Sequence, residues 1–522
     1  MFKFFSITLL ALSLTFIAGA QTISTQVSES EKGGHEFDYS VRTKNGFLVL
    51  QTDRSRAFMS TKTKIETTLL LVDNDLNTIQ EVPFVVPDAD YIGIHGLQNI
   101  GGKCYFFYNK RLKKSDEISF CGMLIDESDI KKSKEFILGT FLTEKSEPRF
   151  QLKVAMDSSS YLLFVEPNQK KQDNKNFYFG VFDLDLNKIW DKNVEMTTES
   201  RFIDIFGITC KQKDKVFISY KHYINEIKRE SVVGDDGSRI PSYKANILVF
   251  KKSEEKPSDI HINLGGKFVH SSDIIFNAKT NKVSIIGMYK NKNNGHVNGV
   301  YYAEMDPETN ELSKTKNTPF PQGMVELIKK DGFASKKESD PGLFIPYVAL
   351  DPIIRENGSI DYLLEYRLMT IITYSNGKST YTVTRYKYGT AIDAHFQDDK
   401  VTFIRIPKYQ IEDNDNSLLS FYPLIYQNKL ILLYNDDKDN AEKDLEKSPD
   451  AITNFKRSVL MAASIDENNN LSRDIIMDVK KSDDYVTRIP KIQKIDNNTL
   501  IFTQAKMKMM SSKTRYGTLS IK

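Results

Sequence analysis

The stretch NFYFGVFDLDLNKIWDKNVEM, residues 176–196, carries the pattern from which the whole chain is built. It opens on aromatics and a glycine, Phe177-Tyr178-Phe179-Gly180, and runs on as an apolar strand. It then turns through Asp183-Leu184-Asp185-Leu186-Asn187 and leaves by a second strand, Lys188–Val194. Asp and Asn suit such a turn because their short side chains bond the local backbone and tolerate left-handed dihedrals.

Weak copies recur along the chain. A small residue opening an apolar strand, followed by an acidic or Asn-rich turn, stands at Thr68–Asp75, Gly122–Asp126, Ala245–Phe250 and Gly299–Tyr302 with its turn at Asp306–Asn310. Later copies begin at Gly389, at Ser458 with its turn at Asp466–Asn470, and at Gly517. Each is preceded by another hairpin-like pair, such as Phe150–Val154 with Tyr161–Glu166. Two hairpins make a four-stranded unit, and a ring of such units is a β-propeller. The expectation is all-β: a single β-propeller of about eight four-stranded blades, or seven if one unit is irregular. The last unit, near 489–522, lacks an outer strand, and Thr22–Val27 offers one; the first full unit begins near Phe37. An N-terminal strand in the last blade removes an exposed edge and closes the circle.

Met1–Ala20 reads as a signal peptide: Lys3 is the positive n-region, Ile7–Ile17 the apolar run, and Ala18-Gly19-Ala20 the small cleavage residues. The mature chain is then exported and starts at Gln21, periplasmic or extracellular, with residues 21–522 as one propeller domain. Of 522 residues, 40% are hydrophobic, and 25 Tyr and 32 Phe suit pleated, half-buried surfaces. A net charge of +3 gives no nucleic-acid or membrane footprint. No further apolar segment has membrane length.

Three cysteines, Cys104, Cys121 and Cys210, exclude a disulfide scaffold. If the hairpin Lys103–Asp126 turns at Leu112-Lys113, Cys104 falls opposite Cys121, with Cα atoms about 4.5 Å apart at the short edge of disulfide range. The alternative is two buried thiols.

Catalytic motifs are absent: no Gly-x-Ser-x-Gly elbow, His-Glu-x-x-His, Cys-x-x-Cys or phosphate-binding glycine loop occurs. Seven histidines are scattered without ligand spacing, so no metal and no cofactor are expected. Asp73–Asn77 and Asp183–Asn187 place oxygens at positions one, three and five of a calcium loop, but Thr78 and Lys188 stand where Gly is needed, and Phe84 and Val194 where Glu is needed. Turn chemistry accounts for both. The single tryptophan, Trp190, argues against propellers that carry one in every blade.

Gly358–Tyr366, Tyr386-Lys387-Tyr388-Gly389, Ile404–Lys408 and the ending Arg515–Leu519 resemble uncharacterised secreted β-propeller-like proteins of Bacteroidota. The resemblance covers mainly the C-terminal third. It implies a source and a propeller-like fold and brings no activity or catalytic residue.

Long polar insertions fall between the second and third strands of the units: Arg54–Thr63, Asn168–Lys175, His222–Tyr243, Asn291–Asn298 and Asp436–Phe455. In a propeller they emerge on one face, where partners commonly bind. A break at Gly323–Gly342 holds a short helix, Met324–Lys330, crossing between units. Ser359–Phe396 reads as a long hairpin with Asn376-Gly377 at its tip. That register sets Tyr374 against Ser379, Ile372 against Tyr381, Arg367 against Tyr386 and Glu365 against Tyr388. Tyr374, Tyr381, Tyr386, Tyr388 and Arg367 are the candidate binding residues. Two function classes follow: a non-catalytic exported propeller binding protein, peptide or glycan, or a hydrolase acting on an extracellular polymer with carboxylates in the central funnel. No sequence feature marks a catalytic pair.

Overall fold

In this computed structural model the described residues are 23–521, except 29–30, 33–34, 57–62, 144–145, 156, 225–228, 235–236, 338–340, 376, 378 and 509–510. The expected leader, Gln21, Thr22 and Asn376 lie outside them.

Among the described residues, eight antiparallel sheets built on four strands follow one another along the chain; two of them carry two further short strands each, and a two-stranded ribbon, Ser231–Val233 with Arg239–Pro241, stands apart. The ranges of the eight are 35–84, 89–142, 149–199, 203–262, 268–319, 347–413, 422–478, and 486–521 joined by 23–27. In neighbouring sheets it is the first strands that approach each other, so these line the axis. The fold is an eight-bladed β-propeller. The strands of each blade are lettered a to d from the axis outwards.

Strand b lies between neighbouring blades, and its sequence shows it. Tyr161-Leu162-Leu163-Phe164-Val165 and Leu430–Tyr434 are apolar without alternation, and every one of these side chains is buried. A strand covered on both faces reads as a continuous apolar run. Strand d has one wet face: Thr78–Phe84 alternates between exposed and half-buried. Gly180, in the strand that defines the repeat, is set by close approach. A Cβ there would lie 2.6 Å from the Tyr178 hydroxyl and 2.9 Å from Phe182 Cε2.

The eighth blade is completed from the N-terminus. Ile23–Val27 pairs with its strand c, from Ile23 against Ile521 to Val27 against Gly517. Between blades 5 and 6 runs the expected helix, Gln322–Asp331, which ends at Gly332 in the left-handed conformation (φ 88°). Asp331 at its end takes Arg405 Nε at 3.0 Å and Nη2 at 2.6 Å, and Arg405 Nη1 donates to the carbonyl of Leu445. The helix thus pins the long connection 438–457 of blade 7 to blade 6.

Two registers differ from the sequence expectation. Cys121 lies opposite Tyr108, so Cys104 and Cys121 do not meet; both are free, buried thiols. The turn after Leu112 has four residues before Glu117, which moves the pairing by four positions. The blade 6 hairpin spans Ile360–Ser375 and Thr380–Gln397, with Tyr374 opposite Tyr381, Ile372 opposite Val383 and Arg367 opposite Tyr388. Its loop also has four residues, and a bulge between Glu365 and Arg367 leaves Tyr366 without a partner on Thr380–Gln397, though it still pairs with Tyr347 of strand a.

Candidate functional site

Every blade has the same strand order, so all b–c and d–a connections share one face. On it the blade 6 hairpin continues past the body of its sheet as an arm. The arm's base is widened by Gln410–Asp413, which pairs with Arg385–Tyr388. Arg385 holds Asp413 with two hydrogen bonds, 2.8 and 2.9 Å.

Beside this base, between blades 6, 7 and 8, lies a cavity of about 410 Å³. Its apolar lining is Ile411, Leu418, Phe455, Val486 and Ala505. Leu418, Phe455 and Val486 belong to a buried cluster against which Tyr386 and Tyr388 pack. Glu412, Asp484, Arg488 and Lys456 supply charge around the apolar surface. Burial, with the charge of Asp415, pushes the Glu412 carboxyl up to about 8. A protonated acid above an apolar floor recognises by hydrogen bonding and contact rather than by net charge.

The cavity stands on a buried polar network. Lys408 Nζ is 2.5 Å from Glu365 Oε1, and neither side chain is exposed. The Ser420 hydroxyl donates to Glu365 Oε2 at 2.7 Å, and Arg367 Nε donates to the same oxygen at 2.5 Å. Gln410 Nε2 donates to the Asn435 carbonyl at 2.7 Å, and Asn435 Nδ2 to that of Thr487 at 2.7 Å, tying three blades together. Burial works to raise Glu365, but the Lys408 and Arg367 charges overcome it and hold the carboxyl below its usual range.

The candidate binding residues therefore separate. Tyr374 and Tyr381 stack at the outer part of the arm, ring centroids 5.2 Å apart, and both are exposed. Tyr386 and Tyr388 face the cluster beneath the cavity. Arg367 lies over the Tyr388 ring at 5.3 Å and belongs to the buried network. Glu412, Arg488 and Phe455 escape a sequence reading. They meet only because connections from three blades converge.

A second buried cluster sits nearer the opposite face of blade 6. Asp361, Asp393 and His395 each put one possible ligand atom within 4.8 Å of the others. Arg355 already supplies the positive charge there: Nε donates to Asp361 Oδ2 at 2.8 Å and Nη2 to Oδ1 at 2.9 Å. His395 Nδ1 is 2.7 Å from Asp361 Oδ1. Burial and the Asp361 charge push Asp393 well above the carboxylate range, so it holds a proton. Arg355 Nη1 reaches the Asn428 and Asp466 carbonyls, fastening blade 6 to blade 7.

None of the known protein-family models matches the sequence, and neither does any curated protein. Several solved structures are similar at a distance. The β-propeller domain of the Trilobed protease from Pyrococcus furiosus shares 9% identity over 87% of this chain and 96% of that one, TM-score 0.37. The Dos1 propeller shares 9% over 94% and 95%, TM-score 0.39. The WD40 domain of SCAP from fission yeast shares 7% over 95% and 98%, TM-score 0.34. The fold rests on the strand pairing itself.

At the axis, Lys153 on strand a of blade 3 donates to Asp351 of blade 6 at 3.0 Å. Asp273, from strand a of blade 5, accepts from the Tyr362 hydroxyl at 2.9 Å. Burial, the larger effect, and the Asp351 charge together bring Asp273 up to about 6, while Tyr362 and Lys153 oppose them. The calcium-like turns are closed on themselves. Asp183 Oδ1 accepts from the backbone amides of Asp185 and Asn187 at 2.8 and 2.9 Å, Oδ2 accepts from Asn187 Nδ2, and Asp73 repeats the arrangement. Among the described residues no helix is long and apolar enough to cross a membrane.

Proposed function

We propose that the protein is an exported, non-catalytic binding propeller, from a Bacteroidota-like source, that takes a protein, peptide or glycan on the face bearing its b–c connections. The observation that carries this reading is the cavity between blades 6, 7 and 8: apolar floor, charged rim, and a base fixed by buried hydrogen bonds. Binding sites are preferentially concave and apolar with a few polar groups that fix orientation. The connection 438–457 forms part of its wall and is held by Arg405, and also by Arg473, which donates to the Lys443 carbonyl.

The hydrolase reading draws on the axial carboxylates Asp273 and Asp351. Both are engaged, one by Tyr362 and the other by Lys153. Asp361, Asp393, Glu365 and Asp436 are fully buried, where no polymer reaches them.

Thr453→Trp tests the proposal, because Thr453 is an exposed residue of the cavity wall and the indole would fill the space. Immobilised wild-type protein should retain a defined component of the exported fraction, and the variant should lose it with an unchanged Tm. Equal retention by both overturns the proposal. Asp273→Asn with Asp351→Asn should leave capture unchanged; a polymer-degrading activity lost in that double variant would establish the hydrolase instead.

A further inference from the structure

The arm of blade 6 has two edges, and they are treated differently. Its outer edge, on the strand Thr380–Gln397, is covered by Gln410–Asp413 as far as Arg385. Asn414 finishes the cover: its amide donates to the Thr384 carbonyl at 2.6 Å, and its Oδ1 accepts from the Thr384 amide at 3.1 Å. The inner edge, on Ile360–Ser375, faces the axis. Strand a of this blade, Tyr347–Ala349, pairs only with Leu364–Tyr366. The Arg367 amide donates to the Pro346 carbonyl at 3.0 Å, and the pairing stops there.

Backbone groups alternate along a strand. Past Arg367, the amides and carbonyls of Met369, Ile371 and Thr373 point to that inner side. Among the described residues no other segment hydrogen-bonds to them. Their side chains share one face, and Met369 and Ile371 are 59% and 68% exposed. A long apolar edge is normally guarded by charge, proline or a bulge, since it templates pairing with another chain. Here Lys378 is the only charged residue from Leu368 to Thr384.

We infer that this inner edge is a strand-addition site: an extended, uncharged peptide segment of a partner protein pairs with Met369–Thr373 on the side that strand a leaves open. The inference rests on the binding reading above and narrows its ligand to polypeptide. The lack of charge selects the partner, because a lysine or glutamate set against this edge would lose hydration and gain no counter-charge. A glycan has no main-chain repeat to match the row of alternating amides and carbonyls at strand spacing.

The test uses the full chain and a fluorescent acetyl-Ser-Val-Thr-Val-Ser-Val-amide hexapeptide, followed by anisotropy. Saturable binding is expected, with at least tenfold weaker binding for a hexapeptide carrying lysine at two alternate positions. Ile371→Pro removes an amide of the inner edge without touching the hairpin's own ladder. Ile371→Lys adds a guard charge and keeps the amide. Each should weaken binding at least tenfold with the Tm held. No binding by the wild type, or equal binding by both variants, overturns the inference. A concentration-dependent dimer abolished by Ile371→Pro overturns it in favour of a second copy of this chain. If the hexapeptide fails while Thr453→Trp still abolishes capture, strand addition is wrong and the binding reading stands.

Discussion

Arg355 and Asp361 are buried together in blade 6, and their worth depends on being broken or kept. Removing one partner of a buried pair strands the other charge, at a cost of about 3–5 kcal/mol. Arg355→Ala should lose about that much in a denaturant titration, and a loss below about 1 kcal/mol would mean that the Asp361 charge is not held by Arg355. Tyr374→Ala with Tyr381→Ala should behave oppositely. Both rings are exposed, so the Tm should hold while partner capture weakens; a large stability loss would place them in the core. These two tyrosines were legible in the sequence because the Asn-Gly tip put them far out on a hairpin. Tyr386 and Tyr388 carry the same spacing and look alike in one dimension. What separates them is the cluster of Leu418, Phe455 and Val486, residues 30 to about 100 positions away. No local pattern marks Glu412, since its environment is made by connections from other blades.

At the scale of the element, the sequence was a good guide to which strands exist and a poor one to their register. The repeat unit is present; the helix expected over Met324–Lys330 spans Gln322–Asp331, and the expected closing strand pairs over Ile23–Val27. Both register errors share one cause. The sequence expectation puts a two-residue turn at Leu112-Lys113 and at Asn376-Gly377, and each loop has four residues. Gly377 does sit at positive φ, 81°, so the turn signal itself is sound; the loop length, which fixes the register, is not in it. Loss of the closing strand is the sharpest test at this scale. Deleting residues 21–30 uncovers the Gly517–Ile521 edge and opens the ring, and should cost several kcal/mol. An unchanged denaturation midpoint would mean the ring holds without it.

Over the whole molecule, several buried carboxyls set the pH dependence of stability. Burial brings Asp273 up to about 6, Asp436 to about 7 and Glu412 to about 8. Each binds its proton more tightly folded than unfolded, so its contribution is full below the ordinary carboxylate range and is lost as pH rises through 6 to 8. Glu308 runs the other way. Hydrogen bonds from Lys211 and Lys215 hold it down to about 2, so its contribution, screened by solvent, is lost as pH falls below 4.5. Stability should peak at mildly acidic pH and decline toward pH 8 in thermal melts. Glu412→Gln, neutral at every pH, should flatten part of that decline; an unchanged slope would show that Glu412 does not carry it.

The closing strand also sets a clock. Ile23–Val27 is made more than 490 residues before Ile521 of its partner strand, Ser511–Ile521. At the roughly 5–20 residues per second of synthesis, the early strand waits on the order of 25–100 s for a sheet to join. Seven blades can form in sequence during that wait, each from neighbouring hairpins. The eighth cannot, and until it does the ring has two open ends. Release before Ser511–Ile521 is made would therefore yield seven blades that never close, the form most exposed to edge-to-edge association.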